Sequence, residues 1–85
     1  MDDKELTHGE KAVGLKFNPG GNIEVDTIKR AYATVIDLSN DACKEIYGKG
    51  PVSPEDGEKL RMHKIAITEA QTAQMWAVKA ATWGL

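Results

Sequence analysis

The sequence predicts an all-α fold, a short N-terminal helix followed by two long antiparallel helices that form a hairpin. Three observations predict it. Apolar residues recur at steps of three and four from Ile23 to Gly48, helix-capping residues stand at Asn22 and Ser53, and "GKGP" at 48–51 interrupts the chain between the two long segments. No period-two alternation marks a strand and no segment repeats. Eighty-five residues are read as one domain, 1–85.

The elements follow in order. Residues 1–8 are expected to be a polar leader, because "MDDKELTHGE" is acidic and lacks the apolar stretch of a signal peptide. A short helix around Gly9 to Val13 and the turn "KFNPGGN" fill 9–22. The turn's glycines permit positive φ and its proline fixes φ, so at minimum it redirects the chain into the next helix. The first long helix is expected over 23–48. Asn22 is its N-cap, Glu24 and Asp26 suit its positive end, and its apolar stripe is Val25, Ile28, Tyr32, Val35, Ile36, Ala42 and Ile46. Its length is on the order of 38 Å. The second long helix is expected over 53–82, opened by "VSPED", with Ser53 as cap, Pro54 at the first helical position and Asp56 at the capping-box position. Gly57 costs about 1 kcal/mol there relative to alanine.

The last third, "AITEAQTAQMWAVKAATWGL", carries only Glu69 and Lys79 as charged side chains. A helix in an isolated hairpin needs one apolar stripe and should carry charge elsewhere. Here alanine, threonine and glutamine occupy the other faces. A chain this short buries little surface alone, and Cys43, the single cysteine, cannot form an intrachain disulfide. Self-assembly is therefore expected, with Ile67, Ala70, Met75, Trp76, Val78 and Trp83 in the interface between copies. One cysteine fits an intracellular setting. No apolar run approaches the roughly 20 residues of a membrane span. A membrane-surface helix would need a lysine and arginine cluster that the last helix lacks.

The formal charge of −2 and pI near 5.6 argue against binding of duplex DNA or RNA. Catalytic signals are poor: no zinc spacing, nucleophile elbow or phosphate loop of the GxxxxGK[ST] kind is present. His63 has no partner at metal-site spacing, Cys43 reads as a packed or exposed thiol, and Glu55, Asp56 and Glu58 read as a charged first turn. No cofactor or metal is expected.

Binding has more support. Phe17 stands in a glycine turn flanked by Lys11, Lys16, Lys29 and Arg30. Its ring can stack on a base, and backbone amides of Asn18, Pro19-Gly20 and the following helix start can face phosphate. The competing reading of Lys29 and Arg30 is a solvated helix face. Two turns into the helix, they lie far from its start, so a neighbouring protomer would present them across a shared pocket. A protein–protein interaction module and a minor nucleotide hydrolase remain open as alternatives at this point.

"GEKAVGLKFNPGGN" followed by "VDTIKRAYATVID", with "EAQTAQMWAVKAATW" near the end, resembles the phage anti-CBASS protein 2 family. That family shares its hairpin domain with an anti-Thoeris sponge family. The likeness runs from Gly9 to Trp83 and is strongest at the F-N-P turn and the E-x(5)-M-W-A segment. It implies a compact helical hexamer that sequesters cyclic oligonucleotide immune messengers in the cytoplasm of an infected bacterium without cleaving them. Cyclic dinucleotides would bind between two protomers. By motif position, Phe17 at the turn and Lys29 on the first long helix would grip them. Cyclic trinucleotides would occupy separate pockets, for which Arg61, His63 and Lys64 are the candidates as cationic or polar groups on the second long helix. Family members use tyrosine at the turn, so Phe17 keeps the stacking and loses a hydroxyl.

Overall fold

Thr7 opens the first helix. Its hydroxyl accepts from Glu10 N at 3.1 Å while Glu10 Oε1 accepts from Thr7 N at 2.9 Å, the reciprocal arrangement that satisfies two otherwise unpaired donors. The computed structural model describes residues 5–85. It contains α1 (His8–Ala12), α2 (Ile23–Gly48) and α3 (Pro54–Ala81), joined in that order, and no strand among the described residues. Residues 1–4 of the expected leader lie outside the described residues. The short helix starts one residue before Gly9, because the Thr7–Glu10 box rather than the glycine sets its beginning.

α1 lies against α2 through Gly9. A Cβ built there would sit 2.1 Å from Ala33 O and 2.9 Å from Asp37 Oδ1, so only glycine allows this approach. Gly9 N donates to Asp37 Oδ1 at 2.7 Å, which fixes the crossing.

α2 begins as expected, with Asn22 Oδ1 accepting from Val25 N at 3.0 Å. Its buried face is Val25, Lys29, Ala33, Ile36, Cys43 and Ile46, a helical stripe of steps of three, four and seven. Val35, expected on that stripe, is half exposed instead. It precedes Ile36 by one residue, about 100° around the helix, and Ile36 takes the inward position. α3 begins with Ser53 Oγ accepting from Asp56 N at 3.1 Å and Pro54 in the first turn.

Two small cores hold the elements. Val13, Leu15, Ala33 and Ile36 form the larger, with Leu6, Ala12, Tyr32, Ile67 and Ala70 packed against it. Cys43, Ile46 and Leu60 form the other, near the hairpin tip. Only Leu60 and Gln74 of α3 are buried. The chain is a slab of 49 × 32 × 12 Å, one helix thick. Its radius of gyration, 15.2 Å, exceeds the roughly 12 Å of a compact domain of this length. Among the described residues no helix is long and apolar enough to cross a membrane.

Candidate functional site

The turn between α1 and α2 is built by three devices. Gly14, at φ +64, takes the left-handed conformation that ends α1. Leu15 N then donates to Glu10 O at 3.0 Å and Phe17 N to Gly14 O at 2.9 Å. This sends Leu15 into the core and leaves Phe17 on the solvent side, 79% exposed.

Lys29 supplies the second device. Its Nζ donates to Gly14 O at 2.9 Å and to Phe17 O, and the residue is only 6% exposed. A buried cation is costly unless its donors are met, and two carbonyl dipoles meet two of the three here. The sequence reading placed Lys29 on a solvated face, or out of reach of its own turn. The structure corrects both, because the extended lysine stem reaches back from α2 and ties the turn of its own chain to the helix.

Asn18 is the third. Its Nδ2 donates to Asn22 O at 2.8 Å and its Oδ1 accepts from Asn22 N at 3.1 Å. Both ends of the amide are thus engaged in closing the loop, which leaves Pro19 and Gly20 exposed at the tip.

Above this turn lies an open cleft of about 420 Å³. Lys11, Gly14, Phe17 and Lys29 line it from the turn side, with Ala12 and Val13 beneath. Gln74, Met75 and Val78 of α3 close the other side. Met75 and Val78, expected between copies, thus face this cleft within one chain. Gln74 is only 5% exposed and went unnoticed in the sequence. The available signal was its register: 67, 70, 74 and 78 fall on one stripe, and a carboxamide interrupts an otherwise apolar series.

The other expected residues are elsewhere. Arg30 is exposed and pairs with Asp26 at 2.8 Å, which raises its pKa. Arg61 pairs with Glu58 at 2.6 Å, and that hydrogen bond holds the Glu58 carboxyl below its ordinary range. Lys64 donates to Tyr47 Oη at 3.1 Å, a contact that raises the lysine pKa. His63 is half-buried, its Nδ1 3.1 Å from Ser39 Oγ. Arg61 and Lys64 share a shallow cleft with Thr68 and Glu69, which His63 does not line; the three candidates do not converge. Ile67 and Ala70 pack on the chain's own core. Trp76 and Trp83 line a separate open groove of about 520 Å³ with Lys79 and Ala80, the Lys79 ammonium 5.5 Å from the Trp76 ring centre.

Comparison with protein families adds the deciding observation: residues 10–82 match the Acb2/Tad1 hairpin domain. The chain belongs to the Acb2/Tad1 hairpin-domain family. The match takes in the Phe17 turn and the whole of the hairpin formed by α2 and α3. Neither curated proteins nor solved structures gave a match.

Proposed function

We propose that this Acb2/Tad1-family chain is a non-enzymatic sponge that binds cyclic oligonucleotide immune messengers, cyclic dinucleotides such as 3′,3′-cGAMP above all, in the cytoplasm of a phage-infected bacterium. The observation that carries the reading is Phe17: an aromatic ring held out to solvent by a turn whose backbone is tied down at both Gly14 and Phe17. Stacking of a base on such a ring contributes about 1–3 kcal/mol. Because the turn is fixed before ligand arrives, little ordering cost opposes binding.

The lysines answer the phosphates. Lys11 lines the cleft, and Lys29 keeps one N–H beyond its two carbonyl bonds. One cleft offers one ring, whereas a cyclic dinucleotide carries two bases and two phosphates. A second copy related by a two-fold axis would present each group again, matching the ligand's own near-symmetry. The one-layer shape and the exposed Met75, Trp76 and Trp83 support assembly, which we take to be a hexamer. Arg61 and Lys64 are the side chains we assign to any cyclic trinucleotide. Sequestration acts by stoichiometry: each bound messenger is one that cannot activate an effector.

The test is retention. The protein is mixed with 3′,3′-cGAMP, separated by filtration and heat-denatured. Intact nucleotide, released in a fixed ratio to protein, is the expected result. Degraded nucleotide, or none retained with any cyclic di- or trinucleotide, overturns the proposal, and then the exposed Trp76–Trp83 groove favours a protein-binding module instead.

A further inference from the structure

We infer that Gln74 is the base-reading residue of the cleft, pairing with the N7 edge of a base stacked on Phe17 and favouring adenine over guanine. This rests on the cyclic-nucleotide reading above and adds the source of its selectivity. Gln74 is only 5% exposed, yet it lines the cleft shared by Phe17, Lys11 and Lys29. Among the described residues its carboxamide has no hydrogen-bond partner, and no fully enclosed side-chain polar atom is left unpaired. Its amide therefore retains access to the cleft. At a stripe position between Ala70 and Val78, packing alone would favour an aliphatic side chain, so a polar group here needs a polar partner.

The chemistry favours one class of base. A carboxamide presents an acceptor and a donor side by side and pairs with an edge that offers the converse. With the N7 edge turned toward Gln74, adenine offers this at N6 with N7, whereas guanine offers only the O6 and N7 acceptors there, which call for two donors. Lys29 is the cleft's buried cation, but two of its three N–H donors go to the Gly14 and Phe17 carbonyls, which leaves one and not the pair that guanine's N7 edge needs.

The experiment compares cyclic di-AMP with cyclic di-GMP by calorimetry on the full chain, wild type against Gln74→Leu, with Gln74→Met as an unbranched second variant should leucine disturb folding. Wild type is expected to bind cyclic di-AMP at least about tenfold more tightly, the discrimination typical of a bidentate pair. The variants are expected to lose that preference while keeping the wild-type melting temperature. A wild type that binds both without preference, or variants that keep the preference, overturns the role of Gln74 alone. A wild type that binds neither also overturns the role of Gln74, and the sponge reading falls with it if no other cyclic di- or trinucleotide is retained.

Discussion

Phe17 and Lys29 divide the work of the turn between display and support. The Phe17 side chain is exposed and its structural bonds are made by its backbone, which alanine keeps, so Phe17→Ala is expected to leave the melting temperature within about 1 °C of wild type. Binding of 3′,3′-cGAMP should weaken by roughly 10- to 100-fold, the range of a lost base-stacking contact. Calorimetry and a thermal melt on the same samples check both halves. Lys29→Met is expected to behave differently. It keeps the aliphatic stem but frees the Gly14 and Phe17 carbonyls, so the melt should fall along with affinity, and the amides of 14–18 should exchange faster with solvent. Loss of affinity with an unchanged melt and unchanged exchange would show that Lys29 acts only on the ligand. The site's residue types were legible in the sequence, since an aromatic among glycines and lysines is conspicuous. Their division of roles was not. Lys29 stands on the inward stripe with Val25, Ala33 and Ile36, and a cation in that register was the sign that it turns inward; the sequence reading set it beside Arg30 on the basis of charge alone. Asn18 was likewise read as facing ligand, although an asparagine four residues before an N-cap asparagine can close a loop instead.

At the scale of elements, α1 is held to α2 by a glycine contact. Gly9→Ala would drive a methyl into Ala33 O, and overpacking of this kind costs about 1–3 kcal/mol. The expected result is a lower melting temperature with Asp37→Ala moving it the same way, because Asp37 anchors the same amide. A Gly9→Ala melt equal to wild type would mean that α1 lifts off freely and does not brace the turn. The long helices were legible because their signals are local: Asn22 and Ser53 accept from the third residue onward, and glycine and proline separate the pair. The contact of α1 was not, because nothing in the order of residues shows that Gly9 will meet Ala33, 24 positions on. In α3 a stripe is hard to see, since alanine occurs on most faces, and this hid both the inward register of Gln74 and the exposure of Trp76.

At the scale of the whole molecule, a slab one helix thick leaves Trp76 and Trp83 uncovered at 66% and 77%. Trp76 was expected to be buried between copies; within one chain it is not, so Trp76→Ala should cost little in the fold of the single chain. Its effect is expected in assembly: wild type should scatter light as a multiple of 9.3 kDa and melt higher as concentration rises, and Trp76→Ala should lose mass and that concentration dependence together. A wild-type mass near 9.3 kDa would leave half of the ligand without a partner. No reading of one chain's sequence fixes how copies meet, since that depends on surfaces far apart in order. The central claim is that the turn and α3 together form the binding cleft, and hydrogen exchange with and without 3′,3′-cGAMP tests it most directly. Slowed exchange concentrated in 11–17 and in 74–78 is the predicted result; no change there, or protection confined to the hairpin tip around 47–53, would contradict it.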